Sequence, residues 1–267
     1  MTESKPKIIN EVGEASTRFS ELEQLLRYEA NKSKATGGHW SSDRKIYYDA
    51  PTVSAETIQA YVMLRAARGE SHSESICSGA LTGALATKNW EHTKQPLIVS
   101  THGKPSEGLL SMMERGVATI VDSPGDYHGR GAGSFEGNVE LTIIKCPGDG
   151  HGFGAGRSRG NASISIYDSP GNHHGKSIGM DEGRAKMRIE RSPGNNHLCL
   201  AGRLMGLAQA VLIDSPGDNH AFGAGRDGGN ATIVFIDSPG AGERAHCAGY
   251  DGGAATVSTY CSSLGIY

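Results

Sequence analysis

Apolar and polar residues alternate in short segments that recur through the second half of the chain. In the segment 230–235, Ala231, Ile233 and Phe235 share one face, and the intervening positions are mostly polar. This period of two predicts half-buried β-strands. The equivalent inward-facing sets are Val139, Leu141, Ile143; Ala162, Ile164, Ile166; Ala185, Met187, Ile189; and Ala208, Ala210, Leu212.

A Pro-Gly pair separates these segments at a constant interval. A Ser-Pro-Gly-Asp sequence is typical of a type II turn, because proline presets φ and glycine accepts the positive φ that follows. Glycine recurs thirteen positions after every proline, and nine positions after five of the six, with Gly249 displaced by one in the last copy. The six prolines follow one another at a constant step of twenty-three positions: Pro124, Pro147, Pro170, Pro193, Pro216 and Pro239.

The length of the repeat selects the architecture. Repeats of about 20–50 residues mark solenoids and propellers, and a unit of twenty-three is too short for a helix pair or a propeller blade. It fits one coil of a parallel β-helix, with coils stacked about 4.8 Å apart. We predict a mainly β fold, a parallel β-solenoid of six to seven coils, in which 116–124 form a partial coil before six full ones. Right-handed crossovers are the default for parallel strands.

The glycine pattern of the repeat resembles that of the GXGXG β-helix. This family includes the C-terminal domain of the large glutamate synthase subunit and one of the subunits of formylmethanofuran dehydrogenase. The resemblance covers about residues 116–260 and implies a parallel β-helix that acts as a structural element without catalytic residues of its own. The matching glycines are Gly217, Gly223, Gly225, Gly228 and Gly229, followed by the strand 231–235.

The first hundred residues have helical rather than strand patterns. We predict a disordered or extended segment at 1–15 and a helical cap at 16–100, followed by the solenoid domain at 101–267. Open solenoid ends expose strand edges, which natural proteins cover. The helical segment is therefore predicted to cap the first coil, and packing against a partner is the alternative use of that surface.

Local signals place the elements around this boundary. Helices are predicted over 16–33, from an N-cap at Ser54 to near Gly69, and over 73–90. The lead-in, 96–115, is predicted to contain a strand, a loop and a helix that begins near Pro105 and ends at Gly116. The coils proper are predicted over 116–261.

Composition and charge exclude several classes of protein. The formal charge is −3, so no electrostatic footprint for nucleic acid is present. The sequence contains no apolar segment of the length that spans a membrane. Its five scattered cysteines indicate reduced thiols and a cytoplasmic protein. A polar N-terminus bearing Ser and Thr also suits a bacterial effector secreted without a cleavable signal peptide, which is the alternative.

Histidine recurs four positions after five of the prolines, with Asp or Asn two positions before it. A structural ladder of stacked imidazoles is the first interpretation. A metal array is disfavoured because a ladder supplies one nitrogen per coil, whereas zinc needs three or four converging ligands. The third is a ligand-binding, interaction or pH-sensitive face, since histidine changes charge near neutrality. The candidate positions are His128, His151, His174, His197, His220, Asp126, Asp149 and Asp218.

Active sites are expected where the repeat breaks, and the catalytic candidates lie in the last coil. Glu243 stands one repeat length after the last ladder histidine, and His246 precedes Cys247. A His-Cys pair suggests a nucleophile, but adjacent strand residues point to opposite faces. We therefore predict a non-catalytic binding or scaffold protein, with a protein partner or self-association and without a cofactor. The alternatives are a secreted effector, and an enzyme or enzyme subunit with its site in the last coils.

Overall fold

In a computed structural model, residues 20–21, 50–68, 72–240 and 245–261 are described. Two helices precede a run of eight strands. The helix predicted over 16–33 lies outside the described residues except at 20–21, which are helical, and the predicted segment 1–15 lies wholly outside them. The elements are α1 Ala55–Arg68, α2 His72–Thr93, β1 Leu97–Ser100, β2 Arg115–Val121, β3 Asn138–Ile144, β4 Asn161–Tyr167, β5 Arg184–Glu190, β6 Leu207–Ile213, β7 Asn230–Ile236 and β8 Ala254–Tyr260.

The eight strands form one parallel sheet in sequence order, β1 to β8. From β2 to β7, each residue pairs with its equivalent one repeat later, for example Leu141 with Ile164. The first step is two positions shorter than this, from Leu97 to Ala118, and the last is one position longer, from Asn230 to Ala254. The predicted fold class is confirmed: the chain is a parallel β-solenoid of about seven turns with helices at its N-terminal side.

The inward faces of the strands form the core. Each predicted inward position from Val139 to Phe235 is buried, with at most 7% of its surface exposed, at Ala210. Because the register is constant, like positions lie directly above one another, as Ile143, Ile166 and Ile189 do. The alternation read from the sequence is therefore confirmed, and burial is distributed along the solenoid axis between neighbouring coils.

The part of each coil between the proline and the next strand is not extended. Every second residue there has a positive φ, including ordinary L-residues such as Leu198 (φ 59°) and Leu200 (φ 58°). Their N–H groups donate alternately to the preceding and following coils, to His174 O at 2.9 Å and Phe222 O at 2.8 Å. Positive φ is unfavourable for residues with a Cβ, so this geometry accounts for the high glycine content.

The predicted type II turn at Ser-Pro-Gly is wrong. The glycine φ is 135–156° in the first five copies, rather than near 80°. Its N–H donates to the proline carbonyl of the following coil, as Gly148 N does to Pro170 O at 3.0 Å. The left-handed bend lies two positions before the proline, as at Asp168 (φ 50°). Hydrogen bonds between coils replace the hydrogen bond that would have closed a local turn.

The lead-in helix predicted from Pro105 to Gly116 is also wrong. This segment forms a shortened first coil, in which Leu110 and Met112 have φ of 55°. Met112 N donates to Arg130 O in the next coil at 2.7 Å. The apolar spacing that suggested a helix instead places Leu109, Leu110 and Met113 in the core. Bonding to the next coil competes successfully with local helix formation.

Helices α1 and α2 cover the β1 end of the solenoid, as the cap prediction requires. Gln59 of α1 pairs with the backbone of Ser100 like a neighbouring strand, with its Nε2 donating at 2.7 Å and its Oε1 accepting at 2.9 Å. In α2, the hydroxyls of Thr82 and Thr87 accept the N–H groups of Leu110 and Glu114, both at 3.0 Å. Backbone groups of β1 and of the first coil thereby gain partners at the N-terminal end of the solenoid.

Helix α2 approaches the first coil through glycine. A Cβ on Gly79 would lie 2.2 Å from Gly108 O, and one on Gly83 would lie 2.0 Å from Ser111 O. Ser54 caps α1 as predicted, since its Oγ accepts the N–H of Thr57 at 3.2 Å. The cap therefore fits the solenoid by direct contact between backbones.

Substituting Gly160 with alanine should destabilise the solenoid by about 3 kcal/mol, because overpacking forces the backbone apart. Its Cβ would lie 1.9 Å from Gly133 O. The matched control is Gly154→Ala, where φ is +65° but the nearest atom, on Arg157, is 3.6 Å away. That control should lose only about 1 kcal/mol. Urea unfolding measures both, and equal losses would contradict contact between coils as the cause.

Met205→Gly should stabilise the protein by about 1 kcal/mol, since glycine relieves a left-handed conformation that costs L-residues about 1–2 kcal/mol. Met205 has φ 57° and 67% of its surface exposed, and Gly228 occupies the same position in the next coil. The expected rise in Tm is about 2–4 °C by calorimetry. Met205→Ala is the control and should give no gain. A gain from alanine equal to that from glycine would assign the effect to the exposed side chain.

Candidate functional site

The five ladder histidines form one continuous stack inside the solenoid. Their side chains have no exposed surface. Neighbouring ring centroids are 4.8–5.0 Å apart, and neighbouring planes differ by 2–6°. The repeat thus places one imidazole per coil at the same point in the interior, from His128 to His220.

The hydrogen bonds of the stack define the protonation of the rings. In four coils Nε2 lies within hydrogen-bond distance of the carbonyl five positions earlier, at 2.6–3.2 Å. Nδ1 accepts a backbone N–H in two of them, from Leu109 to His128 at 3.2 Å and from His174 to His197 at 3.3 Å. A carbonyl only accepts, so Nε2 carries the proton and Nδ1 is the acceptor. His128 and His197 are therefore neutral imidazoles, whereas Nδ1 of His151 and of His174 is buried with no hydrogen-bond partner among the described residues.

Burial keeps the rings neutral. Burial, with a smaller contribution from a neighbouring histidine, lowers the pKa of His128 and of His197 to about 3. Burial lowers the pKa of His151 to about 4. The pKa of His174 lies well below its usual value for the same reason, with contributions from His151 and His197. A charged imidazole in this column would lose its hydration, and two charged neighbours would repel each other.

Apolar residues lie next to the two end members of the stack, His128 and His220. At the N-terminal end, Leu109 occupies the ladder position of the shortened first coil, since Gly129 N donates to its carbonyl as Gly152 N does to that of His128. At the other end, the ring of Phe235 lies 5.9 Å from that of His220. In the described part of the chain, no group of three or more His, Cys, Asp or Glu is placed to hold a metal ion.

The Asp and Asn positions form a second ladder. Each side-chain Oδ1 accepts the N–H of the equivalent residue in the next coil: Asp126 from Asp149 at 2.7 Å, and Asn195 from Asp218 at 2.8 Å. Asn172 continues the same chain of bonds. Unlike the imidazoles, these side chains lie at or near the surface. The ladder fixes the spacing of the coils on that side.

A third ladder was missed in the sequence: the serine that precedes each proline. Ser169 and Ser192 are representative: Ser192 Oγ accepts the N–H of Ser169 at 3.0 Å and donates to Glu190 O at 3.0 Å. The other buried positions repeat this pattern, and Cys146 replaces serine in one coil, where its Sγ lies 3.2 Å from Ile144 O. The sequence pattern that could have revealed this ladder is the serine directly before each proline, which is present in every copy of the repeat except the one with Cys146.

The structure divides the predicted interaction face between interior and surface. The imidazoles are interior, so any contact with a partner at this side is made by the outer parts of the same turns, including Asp126, Asp149 and Asp218. Whether those residues contact a ligand or a partner stays a prediction. The structural ladder, the first interpretation of the histidines, describes the observed stack.

The three catalytic candidates do not form a described site. Glu243 lies outside the described residues. His246 is exposed, and its ring lies 5.8 Å from that of Phe222. Cys247 is exposed and has φ 56°. A catalytic role for these residues stays a prediction.

Comparison of the chain with protein-family models, with curated proteins and with solved structures finds no match in any of the three. The parallel β-solenoid is therefore established by the structure itself, and its likeness to the GXGXG β-helix is a likeness of repeat pattern. Among the described residues, no helix has the length and apolar character needed to cross a membrane.

Acid should unfold the protein through the histidine stack. The folded pKa values of His128, His151 and His197 lie at about 3–4, below the ordinary 6.5, so the unfolded chain binds more protons below pH 6.5. The free energy of unfolding is not reduced by these histidines above pH 6.5. As the pH decreases from 6.5 toward 4, it falls by about 1.4 kcal/mol per pH unit for each histidine. Urea unfolding between pH 7.5 and 4.5 measures this slope.

The control is His151→Gln, which keeps an N–H donor for the Cys146 carbonyl but does not titrate. The variant should take up about one proton fewer than the wild type on unfolding, so its free energy of unfolding should depend less steeply on pH. This holds whatever its stability at pH 7.5. Equal slopes for the two proteins, or constant wild-type stability down to pH 5, would contradict a neutral buried stack.

Proposed function

We propose that this chain is a non-catalytic scaffold that associates with itself, and that its C-terminal end is the contact surface. One observation carries the proposal: β8 presents an uncharged strand edge that no described residue covers. Protein interaction through the repetitive outer surface is the broader form of this function.

The interior supports a structural role for the repeat. The ladder serines and four of the five ladder histidines make hydrogen bonds to backbone groups of their own or neighbouring coils. Burial keeps those four imidazoles neutral. A reaction needs an acid, a base and a nucleophile in distinct roles at one place. Equivalent residues stacked at equal intervals do not supply such a combination. The GXGXG domains, whose repeat this chain resembles, are likewise structural elements.

The two ends of the solenoid differ sharply. At the N-terminal end, Gln59 and the α2 threonines bond to the first coil. At the C-terminal end, the inward row of β8 is only partly covered: Ala255 and Val257 are half-buried and Thr259 is exposed. The equivalent residues of β7, including Phe235, are fully buried. The inward-facing positions of the last coil are thus not covered by a further coil among the described residues.

The sequence of β8 permits edge pairing. All seven residues, Ala254 to Tyr260, are uncharged, and none is proline. Natural proteins protect exposed edges with charged residues, proline, bulges or covering elements. Charged residues and proline are the two protective features that can be read from a sequence, and β8 has neither. Its edge can therefore pair with another strand at little electrostatic cost.

The self-association that we propose is a closed dimer. Helices α1 and α2 cover the β1 end, so a second copy cannot stack head to tail on it. Two C-terminal ends can meet about a two-fold axis, with β8 antiparallel to its counterpart. Centred on Val257, this pairing sets Ala255 of one copy opposite Thr259 of the other, on the same face of the joined sheet. The two cores become continuous, and the assembly closes.

Light scattering coupled to size exclusion tests this function. From roughly 1 µM to roughly 500 µM protein, the mass should rise from one chain to two and stop there. Val257→Lys and Thr259→Lys place a charge in the joined core and should weaken the dimer by at least about tenfold. Thr256→Lys, on the outer face of the same strand, is the matched control and should dimerise normally. Circular dichroism verifies that each variant is folded.

A chain that stays monomeric over the whole range would contradict the proposal. So would open-ended growth, which requires a second contact surface. A dimer that all three variants preserve would place the contact elsewhere on the solenoid. The effector and enzyme alternatives have no observation among the described residues that favours them.

A further inference from the structure

A cavity of about 280 Å³ lies where the C-terminal half of α2 meets the first residues of β2, β3 and β4. It is on the outer face of the sheet, at the opposite end of the solenoid from β8. Its polar and aromatic lining comprises Trp90, Arg115, Asn138, Glu140, Asn161 and Ser163.

Trp90 of α2 packs against the backbone of β2 at one side of the cavity. Gly116 has φ 118°, and a Cβ there would lie 2.6 Å from Cγ of Trp90. The following strands have Val139 and Ala162 at this position. The indole therefore forms a wall, and the first residues of β3 and β4 form the floor beside it. Among strands β2 to β8, only β2 has glycine at this position.

The floor offers both hydrogen-bond donors and acceptors. Asn161 Nδ2 donates to Asn138 Oδ1 at 2.7 Å, which aligns the two exposed amides along the sheet. Among the described residues, neither side chain makes a further hydrogen bond. The N–H groups of Asn138 and the carbonyl oxygen of Asn161 are thus available to a ligand, next to the hydroxyl of Ser163.

The two charged residues that line the cavity have opposite signs. Arg115 and Glu140 lie on its rim, and Arg115 has Glu91 4.0 Å away, with both side chains exposed. An anionic ligand would meet Glu140, and a cationic ligand would meet Arg115. An apolar ligand would remove water from the two amides without replacing their hydrogen bonds, which is unfavourable.

We propose that this cavity binds a neutral saccharide of one or two rings. Hydroxyl groups both donate and accept, as the amide pair requires, and a sugar ring offers an apolar C–H face to the indole of Trp90. The volume lies at the small end of the range of about 300–1,000 Å³ found for ligand pockets, which suits a small ligand. This proposal does not depend on dimerisation, because β8 is remote from the cavity.

Tryptophan fluorescence supplies the test. The chain has two tryptophans, so a Trp40→Phe background leaves Trp90 as the sole reporter. The probes are glucose, galactose, mannose and N-acetylglucosamine with their β-linked disaccharides, and glucuronate and glucosamine as charged comparisons. At least one neutral sugar should give a saturable change, with at least about tenfold weaker binding of its charged counterpart.

Asn161→Ala should weaken that binding by about tenfold, the equivalent of one or two hydrogen bonds. Asn230→Ala is the matched control, since Asn230 occupies the same strand position in β7, far from α2, and should bind like the background protein. Circular dichroism confirms the fold of both variants. No saturable signal with any sugar, preference for a charged sugar, or equal effects of the two substitutions would each overturn the proposal.

Discussion

The stacking of one coil on the next by backbone hydrogen bonds is the constraint on which the structure depends. It fixes a spacing of about 4.8 Å between equivalent residues. The imidazoles follow this spacing, because their ring centroids lie 4.8–5.0 Å apart, as neighbouring strands do. The backbone thus sets the separation of the rings. Glycine is needed where this spacing leaves no room for a Cβ, as at Gly160.

A residue buried in such a stack has a neighbour of its own kind above and below. It must therefore be chemically compatible with itself. Serine and neutral histidine satisfy this condition, because each carries one donor and one acceptor, and Ser192 uses both. A group of fixed charge does not, since like charges at this spacing repel in a medium that screens them poorly. This explains why the arginines that pair with Asp between coils, such as Arg157 with Asp181, lie outside.

The sequence predicted those features that repeat in phase: the strands, their inward residues and the histidine column. It did not predict the left-handed segment of each coil, because residues such as Leu198 take a positive φ only when neighbouring coils accept and donate their hydrogen bonds. The error at 105–116 has the same origin. Leu109, Leu110 and Met113 have helical spacing, and contact with the second coil overrides it. The cavity beside Trp90 was also missed, since it arises from helix placement rather than from a motif.

The periodic constraint also determines where specific chemistry can develop. A change at an inner coil must fit two neighbours, and any polar feature there tends to be repeated along the axis. A terminal coil has one such neighbour, and the two departures from the constant register lie at the ends, as a shortened first step and a lengthened last one. The shortened first step lies beside α2, where Trp90 packs against Gly116 next to the cavity. The last precedes the uncharged β8 edge. Both proposed surfaces therefore lie where the repeat is interrupted, because only there can a residue differ from its equivalents without disturbing a ladder.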